Sequence, residues 1–386
     1  MKILVLSSYS SSLVNFRGPL IRSLSLAGHE IIAAGPEKSL DVVEQLNQWG
    51  VSFQQIELAR TGMNPIRDIK FMWKVLQVLR DNQIDALISY TVKPVIYGSL
   101  AARIMRIPHT YSLITGLGYS FMGLTYKHRL VGHLVKFLYK IALRKNKGVF
   151  FQNSDDLELF QRLRLISSDT EVHLVNGSGV DLSKFSLREL PNFVSSCGED
   201  TTQHSGVIFL LIARLISEKG IYEYVEAARR LKVSYPNCRF QLMGGYESRP
   251  ASISVQEIED WEKKGIIEYL GEQKDVRPFL EACHVYVLPS YREGAPRTVM
   301  EAMAIGRPIV TTNVPGCRQT VVPGVNGFLV AEKNSIQLFE AMEKFIHNPN
   351  LVSRMSIESR RLAEEKYDAL KISRDMVATM NIRKNH

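Results

Sequence analysis

Residues 287–308, VLPSYREGAPRTVMEAMAIGRP, contain a strand end, a turn and a helix in that order. The apolar strand runs into a turn that contains Gly294. Pro296 suits the first position of the following helix, because the N–H group that proline lacks has no helical partner there. The helix continues to about Ile305 and ends at Gly306. A strand that leads through a short turn into a helix is the repeating unit of an α/β fold.

Two carboxylates and a predicted anion site share this turn. Glu293 lies just before the helix, and Glu301 lies about one and a half turns inside it. The free N–H groups around Gly294, Ala295 and Arg297, together with the positive end of the helix, form an anion site. A carboxylate beside such a site needs a role of its own, such as accepting hydrogen bonds from sugar hydroxyls. A surface glutamate followed by an ordinary helix glutamate is the alternative.

A second strand end carries two cations. Residues 207–220, VIFLLIARLISEKG, form an apolar strand that Arg214 closes, and Lys219 and Gly220 follow before a helix begins near Ile221. Arginine binds phosphate oxygens through two parallel hydrogen bonds, whereas lysine acts as a point charge. Fixed cations beside a helix N-terminus therefore suit a diphosphate leaving group. Two exposed loop cations without this role are the alternative.

Three weaker candidates lie at other strand ends. Each offers glycine, hydroxyl or cationic groups at a point where a ligand could approach the backbone, and a tight turn or plain loop explains each almost as well. They are Gly244 and Gly245 in LMGG, Arg17 in SSYSSSLVNFR, and Thr115 and Gly116 in ITGLGY.

Alternation of strands and helices continues along the chain and predicts two doubly wound α/β domains. Short β-branched runs buried on both faces indicate parallel sheets. The polar residues 182–206 lack periodicity and separate two halves, so we expect a linker or surface loop there between domains over 1–181 and 207–365. Ligands of such sheets bind outside the carboxyl ends of the strands, which would leave a cleft between the domains. The predicted strands are residues 2–6, 30–34, 86–89, 148–152, 172–175, 207–212, 239–243, 285–288 and 308–311.

The positive charge belongs to the first half of the chain. Residues 1–180 carry 21 basic and 13 acidic side chains, whereas residues 181–386 carry 27 and 26. Residues 86–154 hold ten Lys or Arg and no Asp or Glu. A one-sided cationic surface indicates an anionic partner, such as nucleic acid, an acidic membrane or a phosphorylated substrate. A solvated basic face without a dedicated partner is the alternative.

Residues 126–148, YKHRLVGHLVKFLYKIALRKNKG, predict a basic amphipathic helix. Such a helix can lie in an anionic membrane interface or bury its apolar stripe in the domain core. For this helix alone we slightly favour the core, and for the whole N-terminal region we favour membrane contact.

Composition excludes several classes of protein. With 45% hydrophobic and 23% charged residues, the chain is no disordered polymer. No apolar run approaches the roughly 20 residues that cross a bilayer. The four cysteines are 41, 45 and 34 positions apart without a CxxC pair, which argues against zinc and disulfide scaffolds and suits a reducing cytosol.

Together these residues resemble the retaining family 4 glycosyltransferases of the GT-B fold. Glu293 and Glu301 match the E-x7-E motif of that family in an EGxP setting, and Arg214 and Lys219 match its R-x4-K diphosphate pair. Residues 175–185, VNGSGVDLSKF, resemble its NGVD-x3-F interdomain segment. NFRGPL, ITGLGY and ARLISEKG resemble most closely the bacterial enzymes that extend undecaprenyl-diphosphate-linked sugars, including N-acetylgalactosaminyltransferases.

The resemblance implies both a fold and roles. It implies two Rossmann-like domains facing a central cleft, with a helix over 366–386 crossing back onto the N-terminal domain. It implies that Glu293 contacts the donor sugar, that Glu301 contacts the ribose hydroxyls, and that no metal or other cofactor is obligatory. Thr115 stands where many members carry a histidine before the glycine, so no role of that histidine is transferred.

We therefore predict a retaining, UDP-sugar-dependent glycosyltransferase in bacterial surface glycan assembly. Its catalytic residues would be Glu293, Arg214 and Lys219, and it would move a sugar such as N-acetylgalactosamine to a polyprenyl-diphosphate-linked acceptor at the cytoplasmic membrane face. The residues predicted to bind the donor are Glu301, Gly294, Ala295, Pro296, Arg297, Gly244 and Gly245, and those predicted on the acceptor side are Arg17, Thr115 and Gly116. A UDP-sugar epimerase on a similar fold is one alternative, against which the EGxP pair argues. A non-enzymatic nucleic-acid binder is the other, but no motif or interleaved basic and aromatic surface supports it.

Overall fold

The computed structural model describes residues 1–59, 62, 64–117, 126–193, 206–247 and 251–382, with the backbone alone at 126–129. Contacts divide the chain into unit 1, which is Met1–Gly179 with Ala369–His386, and unit 2, which is Val180–Asp368. Each unit is built on one parallel sheet, which confirms the predicted α/β class.

Unit 1 has a seven-stranded sheet in the order β3-β2-β1-β4-β5-β6-β7. Its strands are β1 (Lys2–Leu6), β2 (Glu30–Gly35), β3 (Ser52–Gln55), β4 (Ala86–Tyr90), β5 (His109–Ile114), β6 (Gly148–Phe151) and β7 (Glu171–Leu174). Its first seven helices are α1 (Ser11–Asn15), α2 (Gly18–Leu26), α3 (Leu40–Gln48), α4 (Pro65–Asp81), α5 (Val92–Ile104), α6 (Tyr126–Leu143) and α7 (Ser154–Arg162).

Unit 2 has a six-stranded sheet in the order β10-β9-β8-β11-β12-β13. The strands are β8 (Ile208–Ile212), β9 (Arg239–Met243), β10 (Glu268–Tyr269), β11 (Val285–Leu288), β12 (Ile309–Thr312) and β13 (Gly327–Val330). Its helices are α8 (Ile221–Ser234), α9 (Val255–Lys263), α10 (Arg277–Ala282), α11 (Arg297–Ile305), α12 (Ser335–His347) and α13 (Pro349–Lys366). The chain then returns to unit 1 as α14 (Ala369–Met380).

Strand β1 shows how alternation builds the two cores of unit 1. Ile3 and Val5 pack in a cluster with residues of α2, α3 and α14, whereas Leu4 and Leu6 pack in a cluster with residues of α4 and α5. All four side chains are fully buried. Successive side chains of a strand face opposite sides, so a run that is apolar at every position requires helices on both faces of its sheet.

The nine predicted strands are present to within one residue at each end, and the prediction omits β3, β5, β10 and β13. Three of these four, β3, β10 and β13, are edge strands. An edge strand has a neighbouring strand on one side only, and such strands are often short or polar. The fourth, β5, lies inside the sheet but contains buried Thr110 and Ser112. The amide of Asn146 donates to the hydroxyl of Ser112 at 2.7 Å, so a polar side chain is satisfied where the pattern required an apolar one.

Residues 182–193, the described part of the predicted linker or surface loop over 182–206, contain no helix or strand and belong to unit 2. The buried guanidinium of Arg307 donates to the carbonyl oxygens of Arg188 at 3.1 Å and Glu189 at 2.9 Å. Arg360 donates to the carbonyl oxygen of Phe185 at 2.9 Å. This polar segment is therefore held on unit 2 by hydrogen bonds from arginines that lie far along the chain to its carbonyl oxygens. Residues 194–205 lie outside the described residues.

The other predicted boundaries also move. Unit 2 begins at Val180 rather than at 207, and the returning segment begins at Ala369 rather than at 366. Two helices, α13 and α14, meet here and are separated at Tyr367–Asp368. There the backbone N–H of Val180 donates to the carbonyl oxygen of Tyr367 at 2.7 Å, so the two crossings of the chain lie side by side.

Helix α6 has one buried and one exposed apolar side. Val135, Tyr139, Ala142 and Leu143 lie in a core cluster of unit 1. Leu130, Leu134 and Phe137 are exposed. The predicted helix cations Lys127 and Arg129 lie outside the residues with described side chains. None of the helices in the described part of the chain is long and apolar enough to cross a membrane. The cysteines described, Cys238, Cys283 and Cys317, are buried free thiols, and Cys197 lies outside the description.

Candidate active site

The loop after β8 positions the two predicted cations of unit 2. A short 3-10 turn, Ser217–Lys219, carries Lys219 and ends at Gly220, which has a φ of 73°. A Cβ atom at Gly220 would lie 2.1 Å from the carbonyl oxygen of Pro289 at the end of β11. Glycine is therefore required both by the backbone conformation and by the approach of the neighbouring loop.

The loop after β11 lies against that turn. The backbone N–H of Tyr291 donates to the carbonyl oxygen of Glu218 at 2.9 Å, and the N–H of Glu293 donates to the carbonyl oxygen of Pro315 at 3.0 Å. A Cβ atom at Gly316 would lie 2.4 Å from the carbonyl oxygen of Glu293, so the site backbone is enclosed on this side too. These contacts fix the position from which the Glu293 side chain extends.

Pro296 corrects one sequence prediction. It is the N-cap residue of α11, with an extended ψ of 107°, and Arg297 is the first helical residue. The predicted end is confirmed, since the C-cap is Gly306 in the left-handed conformation with a φ of 86°. Ala295 packs partly buried against the core of unit 2, so only its backbone remains for the predicted anion site.

The two predicted motifs meet in an ion pair. The ammonium group of Lys219 binds Oε1 of Glu293, and their side chains are 17% and 15% exposed. Lys219 follows β8 and Glu293 follows β11, and these two strands are neighbours in the sheet. The structure therefore joins the R-x4-K and E-x7-E segments directly, at the carboxyl edge where a doubly wound sheet binds its ligand.

The second glutamate has a different partner. Oε1 of Glu301 accepts a hydrogen bond from Nε of Arg297 at 2.8 Å, one helical turn away. Glu301 is 7% exposed, and burial raises the pKa of its carboxyl group although the Arg297 guanidinium opposes the rise. Sequence reasoning assigned Arg297 to the anion site and missed this i,i+4 pair, which the spacing could have revealed.

Arg214 also has a partner that the sequence prediction missed. Its Nη1 donates to Oε1 of Glu247 at 2.6 Å, and half of the Arg214 side chain is exposed. Glu247 follows β9, the other neighbour of β8 in the sheet. Its position just after a strand end is the signal that could have found it.

Gly244 is required by backbone packing, whereas Gly245 meets only the end of a side chain. A Cβ atom at Gly244 would lie 1.7 Å from the carbonyl oxygen of Ala213, and one at Gly245 would lie 2.5 Å from Oε2 of Glu272. The carbonyl oxygen of Gly245 accepts from the N–H of Leu215 at 3.0 Å. Gly244 thus lets the loop after β8, which carries Arg214, approach the end of β9. The predicted role of both glycines in donor binding stays a prediction.

In unit 1 the predicted residues lie at the ends of three neighbouring strands. The guanidinium of Arg17 lies over the ring of Tyr90, 5.0 Å from its centroid, at the end of β4. The serine loop (residues 7–12) follows β1, and the hydroxyl of Thr91 donates to Oγ of Ser8 at 2.8 Å. Thr115 and Gly116 follow β5, and Gly116 has a φ of 121°.

No group of three or more His, Cys, Asp or Glu side chains suited to a metal ion occurs among the described residues. The predicted metal-free reaction stays a prediction.

Two family models match the chain, one in each unit. The model described as "Glycosyl transferase 4-like domain" matches residues 17–176, and the model described as "Glycosyl transferases group 1" matches residues 200–362.

Curated relatives align along most of the chain. It is 28% identical over 356 residues to the N,N'-diacetylbacillosaminyl-diphospho-undecaprenol alpha-1,3-N-acetylgalactosaminyltransferase of Campylobacter jejuni, covering 91% of both chains. It is 25% identical over 280 residues to the UDP-Gal:alpha-D-GlcNAc-diphosphoundecaprenol alpha-1,3-galactosyltransferase of Escherichia coli, covering 71% of this chain and 69% of that one.

Solved structures share the fold. Anabaena Alr3699/HepE, in complex with UDP-glucose, superposes with a TM-score of 0.76 at 18% identity, covering 98% of this chain and 99% of that one. WaaG, a glycosyltransferase involved in lipopolysaccharide biosynthesis, superposes with a TM-score of 0.69 at 14% identity, covering 99% and 100%. At these identities the likeness establishes the fold alone, which is GT-B as predicted.

Proposed function

We infer that this chain, which belongs to the glycosyltransferases built from a 4-like domain and a group 1 domain, transfers a sugar from a UDP-sugar to a polyprenyl-diphosphate-linked acceptor with retention of configuration. The transferred group that we favour is an N-acetylhexosamine such as N-acetylgalactosamine. The names of the relatives from C. jejuni and E. coli include diphosphoundecaprenol-linked sugars, which supports this class of acceptor.

The observation that carries the proposal is the contact between Lys219 and Glu293. A nucleotide sugar has its hydroxyl-rich ring and its diphosphate on either side of one glycosidic bond. A donor bound at this pair would therefore meet a carboxylate with its sugar and a cation with its phosphates. Arg214 and the backbone N–H groups at the start of α11 would add positive charge on the phosphate side.

In the proposed reaction the bond between the anomeric carbon and the β-phosphate oxygen breaks, and its electron pair stays on UDP. The acceptor hydroxyl oxygen forms the new bond from the same face of the ring, and its proton passes to an oxygen of the departing β-phosphate. Arg214, Lys219 and the start of α11 stabilise the charge that grows on the diphosphate. We expect these fixed cations to suffice without a metal or another cofactor.

A lipid-linked acceptor implies that the reaction takes place at the cytoplasmic face of the membrane. The protein would associate there peripherally through the basic unit 1, attracted by anionic lipid.

The test is a donor screen. The purified protein is incubated with UDP-GalNAc, UDP-GlcNAc, UDP-galactose and UDP-glucose in the presence of bacterial lipid-linked glycans, with and without EDTA. We expect one donor to give acceptor-dependent UDP release in both conditions, and a lipid product heavier by one sugar whose new linkage is α by NMR. If none of the four donors gave UDP, and the protein bound DNA or RNA in a salt-sensitive way, the proposal would be contradicted. Epimerised UDP-sugar without acceptor would indicate an epimerase instead.

A further inference from the structure

The amino edge of the unit 1 sheet carries a pocket of about 290 Å³. It is lined by the C-terminal end of α5, by the segment between α5 and β5, and by residues between α6 and β6. These segments lead into β5 and β6, which are parallel neighbours in the sheet. Thr115 and Gly116 follow the other end of β5, and the six residues of this strand span about 20 Å. The pocket is therefore separate from the residues predicted at the carboxyl edge.

Three cations line this pocket. Arg103, Arg106 and Lys145 are exposed, and none of the lining residues is acidic. Among the described residues, no carboxylate forms an ion pair with any of the three, whereas Lys93 on the same helix α5 pairs with Asp68 at 2.8 Å. Like charges held around one pocket repel one another, and an anion bound between them would relieve this repulsion.

Helix dipoles do not account for all of this charge. Both α5 and α6 end beside the pocket, and cations are favourable at a helix C-terminus because it carries about half a negative charge. Two such ends offset about one of the three positive charges, so the pocket keeps a net charge of about +2. Neighbouring segments of the chain supply no carboxylate, since residues 86–154 contain no Asp or Glu.

The buried part of the pocket is polar. Ser99, Thr110 and Asn146 line it and are 2%, 3% and 5% exposed. Nδ2 of Asn146 donates to Oγ of Ser99 at 3.1 Å and to Oγ of Ser112 at 2.7 Å. These bonds hold hydroxyl and amide groups in place beneath the exposed cations, so the pocket is formed before a ligand arrives. A polar interior below a ring of cations suits a small, strongly charged anion.

We propose that this pocket binds a soluble phosphate compound, such as pyrophosphate or a phosphate ester, through Arg103, Arg106 and Lys145. A guanidinium group binds two phosphate oxygens through parallel hydrogen bonds, and the lysine ammonium group adds a point charge. A soluble compound is favoured over a lipid headgroup because the interior of the pocket is polar, whereas helices at a lipid interface present an apolar face. The inference goes beyond the proposed function and does not rest on it.

The test measures binding of inorganic pyrophosphate by calorimetry at constant ionic strength. The starting chain carries Arg214→Gln/Lys219→Gln, so the cations proposed to bind the donor diphosphate in unit 2 do not contribute to the signal. The pocket variant adds Arg103→Gln/Arg106→Gln and leaves Lys145 in place.

The matched control adds Arg162→Gln/Arg164→Gln to the same starting chain. Arg164 follows α7 with a φ of 52°, and its N–H donates to the carbonyl oxygen of Gln161 at 2.9 Å. Arg106 follows α5 with a φ of 57°, and its N–H donates to the carbonyl oxygen of Arg103 at 3.2 Å. The two arginines thus occupy the same left-handed position after a helix of unit 1, but Arg164 does not line the pocket. The control removes the same charge from the same kind of helix end.

We expect saturable binding to the starting chain. The pocket variant should lose roughly tenfold or more in affinity and the control less than about twofold, because each guanidinium contributes charge-assisted hydrogen bonds. Adding Lys145→Gln to the pocket variant should lower the affinity again. Pyrophosphate should raise the midpoint of thermal unfolding of the starting chain and of the control, but not of the pocket variant. Circular dichroism checks that each variant folds.

Three results would overturn the proposal. Absence of saturable pyrophosphate binding by the starting chain would remove the ligand. Equal losses in the pocket variant and its control would mean that only the net charge of unit 1 matters. If the pocket variant lost sedimentation with phosphatidylserine vesicles by the same factor as its pyrophosphate affinity, while the control kept both, the pocket would be a contact for lipid headgroups instead.

Discussion

At the scale of single residues, Glu293 has a partner that conflicts with its proposed role. Its carboxylate should face the donor sugar, yet it is paired with Lys219. The carboxylate of Glu293 neutralises the ammonium group that the donor diphosphate would need. Replacing Glu293 by glutamine keeps the shape and removes the charge, which leaves Lys219 free to bind phosphate. Glu301 differs, because its partner is Arg297 and it is nearly buried. The two glutamates should therefore fail in different ways when changed.

We expect Glu293→Gln to lower transfer by roughly 100-fold or more while its affinity for UDP stays equal or rises, because this carboxylate should face the sugar. Glu301→Gln should weaken UDP binding by roughly tenfold, since a ribose hydroxyl loses a charged acceptor. Calorimetry with UDP and initial rates of transfer measure the two effects. Glu268→Gln, which breaks the exposed pair with Arg239, is the control and should change neither. Equal UDP affinities for both site variants would remove this division of roles.

Thr91 is the residue whose backbone conformation is least expected. Its φ of 69° and ψ of 160° belong to a region that is essentially confined to glycine. The residue directly follows β4, and its hydroxyl binds Ser8 of the serine loop. A conformation of this kind costs of the order of 1–3 kcal/mol and persists where surrounding contacts enforce it. Nothing in the sequence YTVKP marks this strain, because it arises from packing between two strand ends.

Two substitutions at Thr91 isolate the strain. Thr91→Ala and Thr91→Gly both remove the hydroxyl, but only alanine keeps the Cβ atom that disfavours a positive φ. We expect the glycine variant to have the larger free energy of unfolding, by about 1 kcal/mol, measured by urea denaturation. Thr110 in the extended strand β5 provides the control, where alanine should be the more stable replacement. If the alanine variant had the larger free energy of unfolding at both positions, Thr91 would be unstrained.

At the scale of elements, what could be predicted depended on the distance between partners along the chain. The end of α11 at Gly306 and the cations after β8 follow from signals within one turn or strand end, and the structure has them there. The attachment of residues 182–193 depends on Arg307 and Arg360, which lie more than a hundred positions away. A local pattern of polar residues cannot distinguish a solvated loop from one whose carbonyl oxygens are held by buried arginines.

His284 also contacts residues 182–193 and helps to hold them on unit 2. Its Nδ1 accepts from the N–H of Ile208 at 3.0 Å, so the proton is on Nε2, which donates to the carbonyl oxygen of Pro191 at 3.1 Å. The ring is buried and stacks on Phe193 with centroids 4.4 Å apart. Burial, aided by the nearby Arg307 guanidinium, lowers the pKa of His284 to about 4.

This histidine should make the stability of unit 2 depend on pH. In the unfolded chain histidine titrates near pH 6.5, so between about pH 6.5 and 4 the unfolded state binds the extra proton. The free energy of unfolding should therefore fall as the pH drops through this window, by about 2 kcal/mol between pH 7 and 4.5. His284→Asn keeps an acceptor and removes the titration. Parallel pH profiles of unfolding for parent and variant would show that folding does not lower the pKa of His284.

At the scale of the whole molecule, strand and helix alternation was enough to predict both sheets, because a parallel sheet requires a helix after nearly every strand. The excess of basic residues in the first half of the chain could also be read from the sequence, and the structure shows that this half belongs to unit 1. Helices α4 and α6 both pack on α5, so these two helices, each of which exposes several large apolar side chains, belong to one layer of that unit. The sequence pattern of α6 could not decide between core and membrane, because the helix has an apolar surface on two sides.

The last prediction concerns α6 and the segment after it. Lys140, Arg144 and Lys145 are exposed and Lys136 is half-buried, near the exposed Leu134 and Phe137. Close to an anionic leaflet each such cation contributes on the order of 1 kcal/mol, an attraction that salt weakens. We therefore expect Lys136→Gln/Lys140→Gln/Arg144→Gln/Lys145→Gln to reduce sedimentation with phosphatidylserine vesicles by roughly tenfold or more and to slow transfer to a lipid-linked acceptor.

The matched control removes four charges from unit 2, as Arg229→Gln/Arg230→Gln/Lys263→Gln/Lys264→Gln, and should leave sedimentation within about twofold of the parent. UDP affinity should persist in both variants, because the proposed donor residues belong to unit 2 and none of them is changed. The interior side of α6 is untouched, so thermal unfolding should also match the parent. A quadruple α6 variant that sediments like the parent would show that α6 is a core element with a solvated basic face.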